Sequence, residues 1–188
     1  EMYEVTLFAN VRCLQDSETL GKEVCLQTVP IERDIAPLKD LIALWQMTRE
    51  LRRGRFDLVH SVTPKAGLLA MVGGFLAGVP HRIHTFTGQV WATRRGLGRF
   101  VLKNMDRLTA LTATRVLVDS PSQRDFLLLQ GVVKADKSMV LGDGSIGGVD
   151  LQRFRPDPEI RKAVRTQLGV DDSVPLLLFV GRLKRDKG

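Results

Sequence analysis

Aromatic side chains make up only 6% of this 188-residue chain, and they are not interleaved with its basic residues. Proteins that bind single strands stack bases on aromatics set among cations, so this scarcity argues against nucleic acid as a partner. Cysteine is almost missing. Cys13 and Cys25 stand apart, without the C-x-x-C spacing of a zinc or redox motif. Two free thiols and no secretory leader pattern fit a reducing, cytosolic setting. Long apolar runs are also lacking. The longest, Ala66–Val79, falls short of the roughly 18 residues that mark a transmembrane helix.

What is present is an ordinary globular balance, 44% hydrophobic and 26% charged, with a net charge of +7 and a pI near 9.8. The length allows one or two domains. A basic excess favours phosphate-rich partners such as nucleotides or anionic lipid. The chain opens at Glu1 inside an apparent strand and stops at Gly188 inside an apparent loop, so it is expected to be a fragment cut at both ends.

Strands and helices alternate along the chain. Strand patterns run over 4–9, 24–29, 56–61, 82–86, 116–119, 139–141 and 176–180, the last wholly apolar. Helix patterns fill the spaces: 37–53, with apolar 38, 41, 42 and 45 on one face; 64–77, apolar nearly all round; 98–113; 121–131; and 158–168. Thr63-Pro64 and Asp157-Pro158 open helices, and Ser120 with Gln123 has capping-box spacing. At least four such cycles predict an α/β fold: a Rossmann-like parallel sheet with helices on both faces. Residues 150–157, with Pro156 inside and Pro158 next to them, read as a linker. The expected domains are therefore 1–150 and 151–188.

In open α/β sheets, ligands meet the chain beyond the carboxyl ends of the strands, which draws attention to the segment from His81 to Trp91. Lys65, in the first turn of its helix, suits an anion, but by itself it reads first as a solvated surface lysine. His81 and His84 leave opposite faces of a strand and no carboxylate is near them in sequence, so no metal site is expected. From Trp91 to Arg115 the cations Arg94, Arg95, Arg99, Lys103, Arg107 and Arg115 face one acid, Asp106. Leu97, Phe100, Val101, Leu108 and Leu111 keep an apolar face there, the pattern of a helix lying on anionic lipid. A basic solvated face is the alternative. The glycine-rich loop 142–150 suits close backbone approach to a phosphate, or a hinge, but has no Walker lysine. Arg182 and Lys187, after the last strand, can clamp a diphosphate but equally suit a merely charged loop.

Four stretches carry a resemblance: Val-His-Ser-Val-Thr-Pro-Lys-Ala-Gly-Leu-Leu (59–69), His-Thr-Phe-Thr-Gly-Gln-Val-Trp-Ala-Thr (84–93), Gly-Val-Asp-Leu-Gln-Arg-Phe-Arg-Pro (148–156) and Gly-Arg-Leu-x-x-x-Lys-Gly (181–188). In this order they resemble family 4 retaining glycosyltransferases, in particular bacterial enzymes that build capsular or O-antigen glycans on polyprenyl-diphosphate carriers. The resemblance implies a GT-B fold, here as its acceptor-side half, with the first strand missing and the start of a nucleotide-sugar domain after residue 150. It implies no metal and no cofactor beyond a nucleotide-sugar co-substrate, UDP-linked by expectation. The implied acceptor is a lipid-linked glycan at the anionic cytoplasmic face of the inner membrane, with no nucleic acid involved. Arg182 and Lys187 fall on the donor-diphosphate ligands. Lys65, His84, Thr87, Gly88 and Ser145 are candidates for the acceptor side or cleft, and Arg94, Arg95, Arg99, Lys103 and Arg107 for the membrane side. The catalytic residue is unassigned, because Thr87 replaces the second histidine of the family's His-Thr-Phe-His-Gly pattern. Gly147 likewise replaces an asparagine. The fragment alone is expected to be inactive. A nucleotide-sugar 2-epimerase of the same fold, or a non-catalytic basic membrane module, stands as the alternative.

Overall fold

The computed structural model describes residues 3–10, 24–32, 36–145 and 147–181. The chain divides into two compact units, Glu1–Ile146 and Gly147–Gly188.

In the first unit, β1 (Val5–Ala9) and β2 (Val24–Thr28) form a parallel pair. A crossover helix, α1 (Pro37–Gly54), leads to a four-stranded parallel sheet of β3 (Leu58–Ser61), β4 (His81–Phe86), β5 (Arg115–Val118) and β6 (Ser138–Val140), ordered as in the chain. Between them run α2 (Pro64–Ala77), α3 (Gly96–Thr112) and α4 (Pro121–Leu129). Parallel neighbours require a crossover on each connection, so strand–helix alternation becomes parallel order directly. β1 and β3 share no ladder, but the rings of Phe8 and Phe56 meet edge to face at 5.6 Å.

The register sets Ser61 beside His84, and His84 beside Val116. Side chains alternate across a strand, so Ser61, Arg82, His84, Phe86, Val116 and Val118 share one face. That face packs on α2: a Cβ at Gly74 would touch Arg82 and Val59, and one at Gly67 would overlap the His84 ring. α2 is apolar on every side because it is wedged between the sheet, α1 and α3. The core gathers Met47 and Leu51 of α1, Leu69 and Met71 of α2, and Phe86, Val116, Val118 and Leu127.

The helix ends differ in detail from the expected ones. Arg55, not Gly54, takes the left-handed conformation that stops α1 (φ 48°, ψ 45°). Thr63 holds the N-cap position of α2 without a side-chain capping bond. At α4 the capping spacing is realised: Gln123 N–H donates to Ser120 Oγ at 3.2 Å.

In the second unit, Asp157 caps α5 (Pro158–Leu168) by accepting from the N–H groups of Glu159 and Ile160. Arg165 is buried, with Nε 3.2 Å from Asp172. The strand expected over 176–180 does not form. Leu177 is 96% exposed, and no ladder among the described residues includes this run. A wholly apolar strand is stable only between partners on both sides.

Gly67→Ala forces its new methyl into a ring that is itself fully buried. Such overpacking costs about 1–3 kcal/mol. A urea titration should show that loss, and an unchanged midpoint would refute the tight α2–β4 contact.

Candidate functional site

The exits of the four parallel strands lie along one edge of the sheet. Val62 and Thr63 follow β3, Thr87–Gln89 follow β4, Asp119 and Ser120 follow β5, and Leu141–Ser145 follow β6. Thr87, Gly88 and Ser145 are exposed there, so three of the expected cleft residues share this edge. The β6 exit is pressed onto the end of β5. Ser145 N–H donates to the Asp119 carbonyl at 2.7 Å. A Cβ at Gly144, whose φ is +102°, would collide with the same carbonyl oxygen. Only glycine fits that approach. Ser145 itself has φ +66°, an uncommon left-handed conformation for a non-glycine residue.

Two expected site residues are engaged elsewhere. His84 was expected in the cleft but is 1% exposed, sealed beneath α2. Its Nδ1 lies 2.8 Å from Ser61 Oγ, and its ring meets Phe86 edge to face. Burial, with the nearby His60 charge second, lowers its pKa to about 4. It is a neutral core group. On the opposite face, exposed His60 pairs with Thr85 Oγ1 at 2.7 Å, and burial lowers its pKa too. Lys65 is ion-paired with Asp40 of α1 at 2.6 Å, with both side chains about one-fifth exposed, and so ties α1 to α2.

Trp91 organises the loop after β4. It is 1% exposed and donates Nε1–H to Asp106 Oδ2 at 2.7 Å. Phe126 of α4 stacks on it at 5.5 Å, and Arg99 and Lys103 lie over its ring at 5.2 and 5.5 Å. Burial raises the Asp106 pKa to about 6, only partly offset by the indole hydrogen bond.

The five expected membrane-side cations divide into two groups. Arg99 and Lys103 both donate to Gln130 Oε1, and Arg107 donates to the carbonyls of Gln130 and Gly131. These three therefore hold the carboxyl-terminal end of α4, whose unpaired carbonyls attract cations. Burial and the charges of Arg107 and Arg99 lower the Lys103 pKa. Arg94 and Arg95 are exposed, and neither guanidinium has a partner among the described residues. Leu97, Phe100, Val101, Leu108 and Leu111 form an exposed stripe on α3, from 43 to 77% accessible.

Arg182 and Lys187 lie outside the described residues. Among the described residues, no group of three or more histidine, cysteine or acidic side chains is placed to hold a metal. No helix among them is long and apolar enough to cross a membrane.

Sequence reasoning missed Gln89 and Asp119. Asp119 N–H donates to Gln123 Oε1 at 2.8 Å, and Gln123 Nε2 donates to Gln89 Oε1 at 3.5 Å. The capping spacing pointed to Gln123, but nothing in the spacing showed that its amide would join two strand exits.

A parallel sheet with its candidate site at the strand exits defines an α/β protein of the Rossmann-like class. The family model for the glycosyl transferase 4-like domain matches residues 2–144, and the chain belongs to that family. It is 32% identical over 160 residues to the capsular polysaccharide biosynthesis glycosyltransferase CapM of Staphylococcus aureus, covering 85% of this chain and 42% of the relative. It is 28% identical over 152 residues to the UDP-Gal:α-D-GlcNAc-diphosphoundecaprenol α-1,3-galactosyltransferase of Escherichia coli, covering 80% of this chain and 38% of that one. Among solved structures, a glycosyltransferase from Rickettsia africae aligns with a TM-score of 0.56 at 16% identity, over 90% of this chain and 42% of that one. Anabaena HepE in complex with UDP and glucose aligns at 0.54 and 15% identity, over 78% and 38%. These likenesses place the chain in the GT-B fold class. It spans about two-fifths of the length of these relatives.

The two buried titrating groups have opposite pH signatures. His84 binds a proton in the unfolded chain below pH 6.5 but in the folded one only below about 4, so its contribution is complete above 6.5 and lost as pH falls towards 4. Asp106 keeps its proton up to about 6 when folded and up to 3.8 when unfolded, so it costs stability as pH rises through that window, by roughly 3 kcal/mol in all. Asp106→Asn should therefore gain stability over the wild type progressively from pH 4 to 6, then level off. Urea midpoints at several pH values test this, and a pH-independent difference would contradict it.

Proposed function

We propose that this chain is the acceptor-side part of a longer retaining glycosyltransferase. The whole protein moves a sugar from a nucleotide donor, UDP-linked, to a glycan carried on a polyprenyl diphosphate. The observation that carries this reading is the family match across almost the whole first unit, whose strand exits form one open edge. The similarity to a galactosyltransferase acting on a diphosphoundecaprenol-linked sugar supports the acceptor class.

Thr87, Gly88 and Ser145 line the acceptor edge. Lys65 is already neutralised by Asp40, so it adds little field for a diphosphate. Arg182 and Lys187 hold the donor diphosphate and stabilise the leaving nucleotide without metal or cofactor. The protein attaches peripherally to the cytoplasmic face of the inner membrane. The α3 stripe enters the headgroup region, and Arg94 and Arg95 meet anionic lipid.

The direct test is to incubate the complete protein with labelled UDP-sugars and a polyprenyl-diphosphate-linked saccharide. Label should enter the lipid fraction, and Arg182→Ala should lose most turnover while folding normally. Isomerisation of the donor with no acceptor present would favour the 2-epimerase. No reaction of any donor would leave the membrane module.

Membrane attachment has its own readout, flotation with phosphatidylglycerol vesicles. Removing Arg94 and Arg95 together should cost about 2 kcal/mol, at roughly 1 kcal/mol per cation, which is more than a tenfold loss. Leu97→Asp with Phe100→Asp should abolish flotation. Arg107→Ala should instead lower the melting temperature and change flotation little.

A further inference from the structure

A cavity of about 220 Å³ opens between the carboxyl-terminal end of α3 and the turn after α4. These segments lead into β5 and β6, so it lies at the amino edge of the sheet, away from the strand exits. Its floor is apolar, with Val116, Val132 and Val133 all buried. Its rim is basic: Arg107, Lys134 and Lys137 line it, and no acid does. Part of that charge is already answered. Lys137 donates to the carbonyls of Leu111 and Ala113, and Arg107 to those of Gln130 and Gly131. The ends of α3 and α4 carry about half a negative charge each, which leaves roughly two positive charges over. Among the described residues no ion pair joins any of the three cations to an acid. Asp136, two residues from Lys134, does not line the cavity. Lys134 is exposed, and its ammonium has no hydrogen-bond partner among the described residues.

Excess positive charge around an apolar floor specifies the chemistry of what completes it. An inorganic anion answers the charge and leaves the floor uncovered, while an uncharged apolar molecule does the opposite. An anion with an apolar part satisfies both. Position supplies its source. Leu111, 65% exposed, belongs both to the cavity wall and to the apolar stripe of α3. We infer that this cavity holds one anionic phospholipid, with its phosphate at Lys134 and Lys137 and the start of an acyl chain on the valine floor. The membrane is then gripped at a built site as well as along the stripe. The lipid source rests on the proposed membrane attachment; the pairing of an anionic with an apolar group stands on the geometry.

The experiment is titration of this chain, followed by NMR, with dihexanoylphosphatidylglycerol below its micelle concentration. Amide shifts should concentrate at 110–111 and 131–137. Glycerophosphate, which keeps the phosphate and lacks the chains, should bind at least about tenfold more weakly. Dihexanoylphosphatidylcholine, which keeps the chains and adds a positive charge, should also bind about tenfold more weakly or worse. Lys134→Glu changes an exposed side chain and should leave the melting temperature alone. It should weaken phosphatidylglycerol about thirtyfold, the effect of reversing one charge, and phosphatidylcholine much less. No binding overturns the inference, as does phosphatidylcholine binding as tightly as phosphatidylglycerol. Equal binding by glycerophosphate also overturns it, by leaving a site for free phosphate only. Flotation with phosphatidylglycerol vesicles separates the site from the attachment. Wild-type flotation that Lys134→Glu does not reduce sinks the site and spares the attachment through α3. Short-chain lipid bound with the expected pattern, but no flotation of the wild type, does the reverse.

Discussion

The indole of Trp91 is the contact on which the candidate site depends. Its N–H ends on the buried carboxylate of Asp106, its face stacks on Phe126, and two cations cover it. The loop leaving β4 is thereby tied to α3 through Asp106 and to α4 through Phe126. A loop without such an anchor samples many conformations, whereas this one must pass Thr87, Gly88 and Gln89 along the sheet edge on its way to Trp91. Burying a carboxylate opposes folding unless it is well bonded, and the raised pKa of Asp106 is the measure of that cost. The stacking and the ion cover around Trp91 offset it.

The other strand exits are placed by backbone contact. Ser145 bonds to the Asp119 carbonyl, Gly144 allows the approach, and Gln123 links Asp119 to Gln89. The exits of β4, β5 and β6 are thus held to one another along the edge. Beneath them lies a dry layer in which neutral His84 fits under Gly67 of α2. The edge is rigid below and open above, the arrangement expected where an open parallel sheet binds its ligand.

The positive charge of the chain has two uses. Arg99, Lys103 and Arg107 spend much of their hydrogen-bonding capacity on Gln130 and Gly131, and Lys65 is neutralised by Asp40. These cations join helices to one another. Of the five basic residues from 94 to 107, Arg94 and Arg95, next to an uncovered apolar stripe, are left facing outward. Net charge sets the overall field of a protein, but which cations reach a partner depends on where helix ends need them.

The residues alone determined the alternation of strand and helix, the parallel order and the family, because periodicity, capping spacing and motif order are local properties of the chain. They also placed Thr87, Gly88 and Ser145 at strand exits. Tertiary structure decided the rest. His84 reads as a cleft residue from its motif, yet the glycine facing it lets α2 close over it. Lys65 reads as an anion ligand until Asp40, distant in sequence on α1 but 2.6 Å away in the fold, takes it. The run at 176–180 has every local mark of a buried strand, but a strand needs a neighbour and local composition cannot supply one. Gln89 and Asp119 carry no sequence signal at all, because Gln123 links them only once the fold has brought two strand exits within reach of its amide.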